Sequence, residues 1–299
     1  MSAVVTQGMP PEIAAELARL GRTIDPVSTA ALYASLHESE PYNDVIVMRD
    51  IAYGGQSRQR LDLFASTAPG ERKRKPVLMF VHGGGFSSGD KHIPGSPFYD
   101  NVTLWAVRNG FVGVNLTYRL VPQAVWPSGA EDVGSALRWV LDNISRHGGD
   151  PARVYLMGHS AGAVHVAGYI SHPRLHVKSG SGLAGAILIS GLYDLMARQI
   201  KPPELAYFGA DSACHAERSS LAGLMEQPAL PPLLLAAAEL DPPTFLAEFD
   251  GLRKALMQAG NTDVQSLILP QHSHLSEVFS INTADTQLSD AIAAFAHAA

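Results

Sequence analysis

The chain has 299 residues, 46% of them hydrophobic and 17% charged, with a formal net charge of −6. That length and apolar content suit one large α/β domain with a small cap rather than two independent domains. The negative balance argues against a nucleic-acid or anionic-membrane partner, since both need a basic face. The single cysteine, Cys214, can form no intramolecular disulfide and gives no sign of an oxidising compartment.

No basic cluster precedes an apolar run near the N-terminus, and no apolar stretch reaches the ~18 residues of a membrane span. The expectation is a soluble, cytoplasmic protein with no membrane partner, and the chain is compatible with a homodimer. Residues 1–43 read as two short helices, 11–20 and 28–37, joined through Asp25-Pro26. From residue 45 the pattern changes to short strands at 45–51, 60–65, 76–81, 111–118, 153–157, 184–190, 233–238 and 263–269. Most of the later runs are apolar throughout, which predicts strands buried on both faces of a mostly parallel, eight-stranded sheet. Helices are predicted near 97–109, 129–147, 161–171, 243–259 and 285–298. The basic run Arg72-Lys73-Arg74-Lys75 reads as a solvated turn before the third strand.

Two glycine-rich turns interrupt this alternation where chemistry is expected. His82-Gly83-Gly84-Gly85 follows the apolar run 76–81 directly, and random order would give only about 0.01 copies of such a tetrapeptide. Gly158-His159-Ser160-Ala161-Gly162 follows the run 153–157 and opens a helix of small residues. A serine held between glycines at a strand-to-helix turn is a nucleophile elbow. The helix start aims free N–H groups at any oxygen that becomes negative during attack.

With both motifs in this order, the chain resembles the α/β-hydrolase superfamily and, within it, the hormone-sensitive-lipase-like esterases, from about residue 45 to the C-terminus. Tyr118-Arg119-Leu120 and Ala130-Glu131-Asp132 are further matching pieces. These esterases usually carry Asp before the serine and a second Gly after the elbow, whereas here His159 and Ala163 stand there. That departure leans toward kynurenine-formamidase-like neighbours. The resemblance implies an α/β-hydrolase fold, with residues 44–299 as the catalytic domain. Its cap would form from the N-terminal helices and an insertion near 191–225.

A serine needs a base to take its proton and an acid to orient that base, and in this fold both follow the serine in sequence. Asp241 ends the apolar run 233–240 and precedes Pro242-Pro243, which force a turn. Glu239 and Asp194 are its competitors. The base must come from His272 or His274 after the last strand, and the resemblance favours His274, which precedes an apolar residue. The implied oxyanion donors are the N–H groups of Gly84, Gly85 and Ala161. His82 is expected to anchor the glycine loop, with His272 left as a solvated loop residue near the pocket rim.

Phe86, Trp126, Tyr193, Tyr207 and Phe208 are candidates for lining the pocket, with core packing the equal alternative for each. His165, His172 and His176 lack partners at a zinc spacing, so no metal or other cofactor is expected. The predicted activity is hydrolysis of small carboxylic esters of short to medium acyl chain through an acyl-enzyme. Alternatives are an arylformamidase-type amide hydrolase and a non-catalytic ligand-binding protein on the same scaffold.

Overall fold

The computed structural model describes residues 8–68, 74–178, 180–227, 229–261 and 263–298. Arg72 and Lys73 of the basic run lie outside these residues. Eight strands, β1 (Val45–Ala52), β2 (Arg60–Ser66), β3 (Lys75–Val81), β4 (Val112–Leu116), β5 (Gly149–His159), β6 (Gly185–Ile189), β7 (Leu233–Ala238) and β8 (Val264–Leu269), form one sheet. The sheet runs in the order β1-β2-β4-β3-β5-β6-β7-β8. Only the pairs β1/β2 and β2/β4 are antiparallel, and every pairing from β4 to β8 is parallel. This is the α/β-hydrolase fold that the sequence predicts.

The unbroken apolarity of the central strands follows from cover on both faces. Val77, Met79 and Val81 of β3 join one core cluster, while Leu78 and Phe80 join the cluster on the opposite face. β7 repeats the division, with Leu233, Leu235 and Ala237 on one side and Leu234 and Ala236 on the other. The helices Ser128–Asn143 and Ala161–Ser171 cover the first face; Asp100–Arg108 and Gln287–Ala298 contribute to the second.

Element bounds depart from the sequence reading where local chemistry overrides periodicity. The second helix runs Pro26–Tyr33, earlier than expected, because Asp25 is its cap: its carboxylate accepts the Ser28 N–H at 2.9 Å and the Ser28 hydroxyl at 2.7 Å. Asp-Pro at that place is a capping residue followed by a first-turn proline, not a linker. Between residues 191 and 226 the chain forms the helices Pro202–Phe208, His215–Arg218 and Ser220–Glu226. Parallel strands place their carboxyl ends on one edge of the sheet, and the loops after β3, β5, β7 and β8 gather there.

Candidate active site

Ser160 sits between β5 and the helix Ala161–Ser171 with φ 54° and ψ −122°, a conformation few non-glycine residues adopt. The turn is possible because Gly162 presses against the β3 end: a Cβ there would lie 2.1 Å from the Val81 carbonyl oxygen. Ser160 Oγ lies 2.9 Å from His274 Nε2, and His274 Nδ1 lies 2.6 Å from Asp241 Oδ1. Serine, imidazole and carboxylate thus form one hydrogen-bonded line across the loops after β5, β8 and β7. His274 and Asp241 are buried, and the serine is partly open.

The competitors lie elsewhere. Glu239 is exposed and accepts the Gln271 N–H, while Asp194 caps the Met196 N–H at 2.8 Å. His272 requires a correction: it is fully buried rather than solvated, with Nδ1 3.0 Å from Ser276 Oγ and Nε2 3.0 Å from Asp285 Oδ2. It lies behind the loop, where it helps fix the turn that presents His274.

The glycine loop after β3 faces the serine. Gly84 has φ +132° and a Cβ would lie 2.0 Å from the Ser88 carbonyl oxygen, so only glycine fits. Its own carbonyl takes the N–H groups of Ser87 and Ser88. Among the described residues, the N–H groups of Gly84 and Gly85 have no backbone acceptor. Ala161 opens a helix, where the first N–H groups lack intrahelical partners. The arrangement offers main-chain donors beside Ser160, as an oxyanion requires.

His82 anchors this loop as expected of a structural residue. It is fully buried, stacks on Tyr118 with ring centroids 4.5 Å apart, and burial pushes its pKa down to about 4. The Tyr118 hydroxyl donates to the His82 carbonyl at 3.0 Å. The neighbouring Arg119 pairs with Asp132, so the two matching tripeptides of the sequence meet in space. Arg58, which the sequence did not single out, donates to the carbonyls of Gly89 and Tyr118 at 2.8 Å each and ties the far end of the loop to the segment just after β4.

Further residues, whose supporting role sequence reasoning missed, hold the triad. Ser190, at φ +46°, donates to Asp241 Oδ2 at 2.5 Å, and the Ala238 N–H binds the same oxygen at 3.0 Å. Arg22, in the link between the N-terminal helices, donates to the Asp241 carbonyl at 2.5 Å. His159 and Glu277 are both fully buried, with Nε2 3.3 Å from Oε1. Burial, followed by the charge of Asp241, pushes the Glu277 carboxyl well above its ordinary value. Burial holds the His159 imidazole well below its usual value, so it is neutral at pH 7. Only His159 belongs to a motif of the sequence, the elbow, and there its contact with Glu277 could not be read.

Among the described residues, two side-chain groups have a spacing a metal could use, His159/His274/Glu277 and Glu40/His92/Asp100. In the first, both His274 nitrogens are already committed to Ser160 and Asp241. In the second, the Arg49 guanidinium occupies both carboxylates. Both groups therefore read as charge and hydrogen-bond networks.

Two cavities meet at Ser160. The larger, about 520 Å³, is bounded by Gly83, Gly84, Gly85, His274 and a mostly apolar wall that includes Ile24, Phe98, Tyr99 and Phe279. The smaller, about 170 Å³, lies on the Ala161 side and is bounded by Phe86, Val164, Leu192 and Arg198. Phe245 and Ile24 border both. Of the five aromatic candidates only Phe86 lines either cavity. Tyr207 stacks on Phe86 from behind at 4.7 Å, Phe208 packs edge-on to both, Trp126 lies under the guanidinium groups of Arg174 and Arg218, and Tyr193 joins the main core. Aromatic character alone could not separate a pocket wall from the layer that braces it.

The profile of the family described as BD-FAE matches residues 61–174, less than half of the chain. Esterase LipQ of Mycobacterium tuberculosis is 29% identical over 244 residues, covering 75% of this chain and 56% of that protein. Phenmedipham hydrolase of Pseudarthrobacter oxydans is 38% identical over 109 residues, 33% of this chain and 20% of that protein. The chain therefore spans little more than half of one of these curated relatives and a fifth of the other. The crystal structure of esterase B from Lactobacillus rhamnosis superposes with a TM-score of 0.72 at 19% identity, over 96% of this chain and 95% of that one. None of these is a formamidase, and that resemblance rests on His159 and Ala163 alone. With fold, motif order and relatives in agreement, the chain has the α/β-hydrolase fold, and its likeness is to carboxylesterases.

Proposed function

We propose that this chain hydrolyses carboxylic esters of short acyl chain through an acyl-enzyme on Ser160. The observation that carries the reading is the unbroken line Ser160 Oγ, His274, Asp241 at the meeting point of two cavities beside the Gly84 and Gly85 N–H groups. Esterase relatives and structural neighbours add support. His274 Nε2 takes the hydroxyl proton as Ser160 Oγ bonds to the acyl carbon, and the carbonyl oxygen becomes an oxyanion held by the main-chain donors. The same proton then passes to the departing alkoxide. A water activated by His274 releases the acid and restores the serine, with Asp241 orienting the imidazole throughout.

The two cavities divide the substrate. His274 must reach the leaving oxygen, and it borders the larger cavity but not the smaller. The alcohol portion therefore belongs in the large, mostly apolar space, and the acyl portion in the small chamber beside Ala161 and Val164. The preferred substrate is a short-chain ester of a bulky, apolar alcohol. An intact triad also speaks against a purely ligand-binding role.

The test compares p-nitrophenyl acetate, butyrate and octanoate with N-formylkynurenine, followed by peptide mapping after reaction with a phosphonate probe. Turnover of the short esters and labelling at Ser160 are expected. Exclusive turnover of the formamide, or labelling at another serine, would overturn the ester reading.

A further inference from the structure

Resting on the reading that the acyl group of an ester occupies the small chamber beside Ser160, we infer that Arg198 sets the length of acyl chain the protein accepts. The chamber of about 170 Å³ does not end at the protein surface alone. A second cavity of about 370 Å³ adjoins it, bounded by Tyr193, Leu221, Ala247 and Leu252, and the two have only Arg198 and Thr244 in common. These two side chains are the wall between them. Thr244 is short, so the reach of the partition is that of the arginine.

An arginine at a pocket end is often mobile, but this one is clamped. Its Nε donates to Glu248 Oε1 at 2.6 Å, Nη1 donates to Glu204 Oε2 at 2.9 Å, and Nη2 donates to the other Glu204 oxygen. The arginine side chain is 12% exposed and each carboxylate 5%. Both carboxylates are fixed in turn. Glu248 Oε2 accepts the N–H groups of Tyr193 and Asp194 at 2.7 and 2.9 Å, and Glu204 Oε2 accepts that of Lys201 at 3.1 Å. Swinging the guanidinium aside would leave two buried carboxylates without their cation, so the clamped position is strongly favoured. An acyl chain growing out of the chamber therefore meets a charged, rigid wall, behind which lies space it could otherwise use.

The clamp also joins the helix Pro202–Phe208 to the helix Pro243–Gln258 that follows Asp241. The ruler is thus built from a contact between the 191–226 segment and the helix that follows β7, and neither part of the chain defines it alone.

The test is the dependence of kcat/KM on acyl length, from p-nitrophenyl acetate to decanoate. It is measured on the wild type, on Arg198→Ala, and on the triple variant Arg198→Ala/Glu204→Gln/Glu248→Gln, which leaves no unpaired charge. The wild type is expected to lose about tenfold or more between butyrate and octanoate, in line with the discrimination an apolar pocket achieves per added group. In the variants the octanoate-to-butyrate ratio should rise by about tenfold. Thr244→Ala, which thins the wall without touching the ion cluster, should raise the ratio in the same direction and keeps the inference open to refutation should the arginine variants not fold. A wild type that prefers octanoate, or an unchanged ratio in the folded variants, would overturn the role of Arg198. Absence of any ester turnover by the wild type would instead sink the esterase reading beneath it.

Discussion

The imidazole of His159 donates its Nε2–H to the main-chain carbonyl of His274 at 2.7 Å, so the residue before the nucleophile holds the residue that activates it. A carbonyl can only accept, which fixes the proton on Nε2 and leaves Nδ1 bare, facing the glycine loop, where a Cβ on Gly83 would come within 3.1 Å. One side chain thereby touches the base and packs on the oxyanion loop. It also gives a physical reason for histidine where similar esterases carry aspartate. A carboxylate at this place would set an acceptor against a carbonyl and a second negative charge near Asp241.

His159→Phe should therefore lower kcat with little change in KM, by about tenfold, the value of one buried hydrogen bond that positions a catalytic group. His159→Gln, which keeps a donor, should recover part of the loss. Steady-state kinetics on p-nitrophenyl butyrate, with the melting temperature as a control for folding, reads both. An unchanged kcat in the phenylalanine variant would show that His274 is held by other means.

Glu277 makes a different prediction. Its carboxyl is raised in the folded state by burial and by Asp241, while in the unfolded chain it ionises near its ordinary value of about 4.5. Above that pH the unfolded state releases a proton that the folded state keeps, so this residue's contribution is fully present at acid pH and is lost as pH rises toward the folded pKa. Glu277→Gln removes the dependence. Relative to the wild type the variant should gain up to about 1.4 kcal/mol per pH unit above 4.5, with the two converging below it. Melting curves from pH 4 to 8 test this. A constant offset would mean that Glu277 is ionised in the folded protein.

His82, His159 and His165 pull the other way. Burial lowers the pKa of His82 to about 4, of His165 to about 3 and of His159 well below 6.5, so all three are neutral in the fold. As pH falls through 6.5 the unfolded chain takes up protons that the folded chain refuses, and stability drops. His165 is the cleanest probe, because neither ring nitrogen finds a hydrogen-bond partner among the described residues and its neighbours are Phe86, Tyr118 and Tyr207. His165→Phe should flatten the acid limb by up to about 1.4 kcal/mol per pH unit below 6.5. Parallel melting curves for variant and wild type across pH 4 to 7 would contradict the neutral, buried assignment.

The sheet was legible because its strands are buried on both faces: runs such as 76–81 and 233–238 carry apolar residues at every position, the first ending just before His82-Gly83 and the second beginning just after Pro231-Pro232. The elbow and the glycine loop were legible because close backbone approach at Gly162 and the positive φ of Gly84 leave no choice of residue. What supports the triad was not. Ser190 and Glu277 are ordinary residue types at ordinary spacings, His159 showed in the elbow only as a departure without a role, and their proximity arises only when the end of β5 and the loops after β6 and β8 converge. The pocket walls were hidden for a related reason. Phe86 and Tyr207 stack face to face, and nothing in either one's sequence neighbourhood tells which of the two meets solvent.

The division of labour at the reacting centre has its own test. With Ser160 Oγ 2.9 Å from His274 Nε2, the hydroxyl and the imidazole act on one proton, so removing either removes the same step. Ser160→Ala should lower kcat by about 10⁴-fold or more with the fold intact, and adding His274→Ala should cost little further. What activity remains would come from the main-chain donors near Gly84, Gly85 and Ala161, which neither substitution touches. Single-turnover rates on p-nitrophenyl acetate for the two single variants and the double variant decide the matter: losses that multiply would mean that serine and histidine serve separate steps, and the line of hydrogen bonds between them would then be structural.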